Sequence, residues 1–163
     1  STFFPSIRFF RVTMSMADMD AKRQSISKLV STEMWQLRGR VGTPQKGQYA
    51  YLNFMKVLDA PAYQTFEETM WKPIAESWIK DGLQSSWVFA TKMLPTGTDT
   101  TYGAYTADFY PTWESAFAAR ATQATFEKVH PGKKYQDLAD QAPKLRQLAK
   151  RELWVVVERI AKP

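Results

Sequence analysis

Tyr49-Ala50-Tyr51-Leu52-Asn53-Phe54-Met55-Lys56-Val57 alternates as a β-strand does, yet it is largely apolar on both sides. Tyr49, Tyr51, Asn53, Met55 and Val57 share one face; Ala50, Leu52, Phe54 and Lys56 share the other. Neither face suits free solvation, so this strand belongs in a sheet covered by helices on one side and by a second sheet on the other. Downstream, Asp59 suits a helix N-cap and Pro61 the first turn. Tyr63, Phe66, Met70, Ile74 and Trp78 follow a helical stripe. Pro73 kinks or restarts that helix, and Gly82 is its expected stop. Ser85 to Leu94 reads as a second strand, Pro95-Thr96-Gly97-Thr98-Asp99 as a hairpin-type loop, and Tyr102 to Tyr110 as a third strand. Tyr49 to Tyr110 is therefore strand, helix, strand, strand.

Outward from this stretch, Met16 to Thr32 is expected to be a helix with Met16, Met19, Ile26, Leu29 and Val30 along one face. Glu33 to Arg38 alternates as a short strand, and Gly42 to Gly47 is a loop. Phe3, Phe4, Ile7, Phe9, Phe10 and Val12 are too apolar for a free tail and are expected to pack on the domain or a partner. On the other side, Thr112 can cap a helix carrying Trp113, Ala116 and Phe117, and a short helix includes Phe126 and Val129. His130-Pro131-Gly132 breaks it. Tyr135 to Arg151 is expected to be helical, with Pro143 as an interruption, and Glu152 to Glu158 is the last strand.

The two ends echo each other. At one constant spacing, Trp35 matches Trp154, Glu33 matches Glu152, Met34 matches Leu153, Leu29 matches Leu148 and Ile26 matches Leu145. Residues 1–42 thus read as an extension, the remnant of a preceding repeat, and residues 43–163 as the complete domain.

A chain of 163 residues, 44% hydrophobic and 14% aromatic, can bury a real core. It holds no cysteine, which removes disulfides, thiolate metal sites and cysteine nucleophiles. The net charge is +6, but the basic residues are scattered among acids and no nucleic-acid recognition element accompanies them, so no nucleic acid is expected as partner. No apolar run reaches the length of a membrane span. Ser1-Thr2-Phe3-Phe4-Pro5 lacks the charged start and long apolar core of a signal peptide, and the start at Ser rather than Met is expected to be a processed or trimmed end.

Strand-helix-strand-strand-helix-strand is the ferredoxin-like arrangement. Asn53-Phe54-Met55-Lys56-Val57, Phe66-Glu67 with Met70-Trp71-Lys72-Pro73, Ile79-Lys80-Asp81-Gly82, Ser86-Trp87 and Leu94-Pro95 with Gly97-Thr98 carry a closer likeness. With Val129-His130-Pro131-Gly132-Lys133 and Glu152-Leu153-Trp154, they resemble the dimeric α+β barrel superfamily, which includes proteins like the antibiotic-biosynthesis monooxygenases. The nearest group is a set of secreted bacterial tandem-repeat proteins of unknown function. The resemblance covers roughly residues 16–160, with the Trp-Lys-Pro block as its most specific part. It implies an α+β fold with a four-stranded antiparallel sheet, paired with a second sheet into a barrel. It further implies a homodimer or higher homo-oligomer and a secreted or periplasmic location. The superfamily hosts monooxygenases, haem enzymes, isomerases and proteins without known activity, so fold does not settle function.

Three residues could carry chemistry. Asn53 sits mid-strand among apolar neighbours and needs partners for its amide. In monooxygenase and haem-degrading relatives an Asn on the first strand and a Trp orient substrate or oxygen; a structural Asn is the alternative. Asp108 is a candidate general base if burial raises its pKa, or a solvent-facing strand residue. His130, the sole histidine, could ligate haem or act as a base. It precedes Pro-Gly at a helix end, which favours local bonding, and the axial-His pattern of haem-degrading relatives is unmatched. Haem is therefore disfavoured, and no cofactor or metal is expected. Tyr51, Asn53, Trp71, Trp87 and Tyr105 are the expected lining of an aromatic pocket for a small organic ligand. The competing reading is a non-enzymatic assembly module.

Overall fold

The structure, a computed structural model, describes residues 15–28, 31–98 and 100–159. It divides into two compact units, Ser1–Thr32 and Glu33–Pro163.

In the first unit, Ser15 caps helix α1 (Met16–Ile26), its hydroxyl accepting the Asp18 N–H at 3.1 Å. Asp18 in the first turn and Arg23 in the last suit the helix dipole. The helix ends at Ile26, not Thr32, and buries none of its residues: Met16, Met19 and Ile26 are all exposed. Leu29, Val30 and the aromatic segment Phe3 to Val12 lie outside the described residues.

The second unit runs β1 (Met34–Gly42), β2 (Tyr49–Val57), α2 (Ala60–Phe66), a π-helical turn (Glu67–Trp71) and α3 (Lys72–Lys80). It continues through β3 (Ser86–Leu94), β4 (Ala104–Tyr110), α4 (Trp113–Phe117), α5 (Thr122–Val129), α6 (Tyr135–Leu145) and β5 (Arg146–Val155). The strands form one antiparallel sheet ordered β1-β3-β4-β2-β5. The order of β5, β2, β4 and β3 is compatible with a ferredoxin-like fold.

The sheet has five strands, not the expected four, and it is open rather than closed. The segment read as part of an extension joins it: β1 pairs with β3 from Met34↔Leu94 to Gly42↔Ser86, with two register shifts. Pairing with β1 satisfies backbone groups that β3 would otherwise present at an edge. Glu33 fastens the start of β1. Its carboxylate accepts from Lys92 Nζ at 2.7 Å and from the Tyr102 hydroxyl at 3.1 Å. The Lys92 ammonium also lies 3.8 Å from the Tyr102 ring centroid, and Trp35 stacks on that ring.

The helices pack on one face of the sheet. Tyr63, Phe66, Ile74, Ala75, Trp78, Phe126, Leu138 and Ala142 meet Met55, Trp87, Phe89 and Ala104 in the main core. A second cluster on the opposite face is built from strand residues, with Ala50, Leu52, Phe54 and Ala107 buried beside Trp35, Val88, Tyr102, Tyr105 and Phe109. Both faces of β2 are thus apolar, as its alternation requires.

Local chemistry sets the helix ends. Asp59 Oδ1 accepts the Ala62 N–H at 3.0 Å to start α2. Gly82, at φ +72°, ends α3, where Leu83 N–H donates to Trp78 C=O and Gly82 N–H to Ile79 C=O. Pro73 removes a backbone donor, and the chain meets it with a π-helical turn in which Lys72 N–H reaches Glu67 C=O. The helix expected to run from Tyr135 to Arg151 stops at Leu145. From Arg146 onward the chain is strand, because Arg146↔Val57 begins a ladder along the whole of β2. Tertiary pairing overrides the helical spacing there.

Candidate functional site

The stripe Glu67, Trp71, Ala75 and Trp78 faces the sheet across a cavity of about 390 Å³. The spacing places these four on one side of the helical segment. Ala75 supplies the room, and the π turn sets Glu67 and Trp71 against it. From the sheet, Tyr51, Asn53 and Met55 of β2, Trp87 of β3, and Thr106, Asp108 and Tyr110 of β4 complete the floor. Arg146, Leu148 and Arg151 enter from β5, and Ala116, Phe117 and Arg120 from α4 and the turn after it. Phe117, Leu148 and Arg151 are exposed, so the mouth opens between α4 and β5.

A polar chain crosses the floor. Arg151 Nε donates to Asn53 Oδ1 at 2.6 Å, and Asn53 Nδ2 donates to Asp108 Oδ2 at 3.0 Å and to Thr106 Oγ1 at 3.2 Å. Gln84 Nε2 donates to the other Asp108 oxygen at 3.1 Å and to the Ser86 carbonyl at 2.9 Å. Asn53 therefore couples a guanidinium to a carboxylate through its two amide ends. Desolvation raises the Asp108 pKa, while the Gln84 and Asn53 hydrogen bonds and the charges of Arg120 and Arg151 oppose the rise. Asp108 is surrounded by protein but open to the cavity, and both its oxygens are occupied.

Glu67 is differently placed. It is 2% exposed and lines the cavity. The Tyr63 hydroxyl adjoins it without closing an ordinary hydrogen bond. Burial pushes its carboxyl up to about 7; Tyr63 and the Arg146 charge act against the rise, and Asp108 adds to it. The same desolvation raises Tyr63 and Tyr110.

Of the residues expected to matter, Tyr51, Asn53, Trp71, Trp87 and Asp108 meet around this one cavity. Tyr105 does not. It points to the opposite face, where it packs edge-on against Trp35 with centroids 4.9 Å apart. A one-residue step along β4 reverses the side. His130 also lies elsewhere: Nε2 donates to the Met70 carbonyl at 3.0 Å, and the ring packs against Phe126. The cavity thus presents no imidazole to a haem iron. Among the described residues no group of three or more His, Asp or Glu could hold a metal ion. No described helix is long and apolar enough to cross a membrane.

Glu67, Arg120, Arg146 and Arg151 were not expected at the site. Glu67 stands four positions before Trp71 on the helical stripe, a spacing that could have placed it. The arginines looked like part of a scattered basic surface, and only the strand start at Arg146 and the fold of the turn after α4 bring them together.

Comparison of the chain with protein families, curated proteins and solved structures gives no match.

Proposed function

We propose that this domain binds a small planar organic molecule in the cavity between its sheet and helices. The observation that carries the reading is the wall itself: Tyr51, Trp71, Trp78, Trp87, Tyr110 and Phe117 enclose about 390 Å³ around a few polar groups. A volume at the low end of ligand pockets, aromatic walls and sparse oriented polar groups suit a ligand of about two fused rings. The strand order and one-sided helices also support membership of the dimeric α+β barrel superfamily, in which an oxygenation would be the enzymatic form of this reading. Calorimetric titration with naphthalene-sized compounds tests it, with Ala75→Leu as the variant that fills the cavity. Binding by the native chain and its loss in Ala75→Leu support the reading. No binding across the set, or binding indifferent to Ala75→Leu, overturns it.

The second reading is assembly. Met34 and Leu37 on β1, and Trp154 and Val155 on β5, are large apolar side chains exposed on the two outermost strands. A homo-oligomer joined along these strands would cover them.

A further inference from the structure

We propose, resting on the cavity reading above, that the ligand is an aromatic organic anion whose acidic group is received by Arg120 and Arg146. Three guanidinium groups and two carboxyl groups border the cavity, and none of the three arginines forms an ion pair among the described residues. Asn53 links Arg151 to Asp108 and so uses that pair internally. Arg120, Arg146 and Glu67 remain. Two guanidinium groups against one carboxyl leave the surplus positive even where Glu67 is ionised.

The donor count points the same way. The Nε–H groups of Arg120 and Arg146 and the Nε1–H of Trp71 are buried without an acceptor among the described residues. Each such orphan is costly, and an acceptor-rich ligand group would relieve several together. Arg120 is already held in place. Its guanidinium carbon lies 4.2 Å from the Tyr110 ring centroid, and Nη2 donates to the Ser115 carbonyl at 2.6 Å. A pre-positioned guanidinium loses little freedom on binding and matches a carboxylate's planar geometry. The aromatic walls require the rest of the ligand to be apolar and flat, which favours an organic acid over inorganic anions.

The test compares 2-naphthoate with 2-naphthamide and 2-naphthylmethylamine by calorimetry on the full chain at neutral pH. These probes share a ring system and differ in charge. The expected result is a preference of at least about tenfold for the acid over the amide, as charge-assisted hydrogen bonds give, with the amine weakest. Arg146→Gln and Arg120→Gln are each expected to bring the acid-to-amide ratio toward one. An amide that binds as well as the acid overturns this inference and leaves the cavity reading standing, as does an acid preference that survives both substitutions. Failure of all three probes overturns both. The native ratio needs no variant, so a substitution that fails to fold does not remove the test.

Discussion

Asn53 is a polar residue in the middle of an apolar strand, and its amide closes a circuit between Arg151, Thr106 and Asp108. Asn53→Leu keeps the branched heavy-atom shape and removes the circuit. It is expected to cost about 2–3 kcal/mol, because Asp108 loses a donor where it is hardest to replace; urea denaturation measures this, and a loss below about 0.5 kcal/mol would show that the circuit contributes little. Glu67 gives a pH signature. Its carboxyl is raised from 4.5 to about 7, so the folded protein holds this proton where the unfolded chain has released it. Stability from this group is full below about pH 4.5, declines as pH rises to about 7, and stays low above that. The groups facing it are Tyr63 from α2, Asp108 from β4 and Arg146 from β5. Glu67→Gln is expected to flatten the slope and to gain up to about 3 kcal/mol above pH 7, with little change near pH 4. Denaturation midpoints across that range check it, and parallel curves for the two proteins would refute it. At this scale the sequence exposed Asn53 and Asp108, because a polar residue inside an apolar strand is conspicuous. It hid Glu67 and the three arginines, because a charge on a helix or near a strand end is ordinarily solvated.

The elements were legible wherever a local signal fixes them. Asp59 and Gly82 bound the helical segment through capping, and the alternation read from Tyr49 to Leu58 overran the strand, which ends at Val57, by one residue. The differences, a fifth strand β1 added to the expected four and a β5 read as mostly helix, both concern segments whose state is decided by a partner strand distant in sequence. Tyr105 was lost to parity alone. The clamp on β1 offers a test. Desolvation works to raise the Glu33 pKa, but hydrogen bonds from Lys92 and Tyr102 together with the Lys92 charge hold it below the usual value. A depressed carboxylate contributes stability above its unfolded pKa and loses it as pH falls through the folded one. Glu33→Gln is expected to cost about 1–2 kcal/mol at neutral pH, discounted for partial exposure, and the difference from native should shrink toward pH 3. Hydrogen exchange of β1 amides should accelerate in the variant more than that of β2. Uniform acceleration would mean that the clamp is not specific to β1.

At the scale of the whole molecule, the internal echo acquires a position: Trp35 lies on β1 and Trp154 on β5, at opposite borders of the sheet. β1 pairs with β3 and β5 with β2, and the far side of each has no strand beside it among the described residues. Two similar segments at opposite edges suit assembly by addition, in which a neighbouring copy continues the ladder that β5 leaves open. Trp154 is 53% exposed, and its indole N–H donates to Glu152 at 2.8 Å, which keeps the ring on the strand surface. If edges join, Trp154→Glu and Val155→Lys place charges at the seam and should lower the association constant by about tenfold or more, while the monomer keeps its stability. Sedimentation velocity between about 1 and 100 µM reads this directly, since an interface of ordinary size gives association in that range. A native chain that stays monomeric throughout would remove the assembly reading and leave the cavity as the feature that function must use. Self-association that survives both substitutions would move the interface away from β5, with the exposed side chains of β1 next to be substituted.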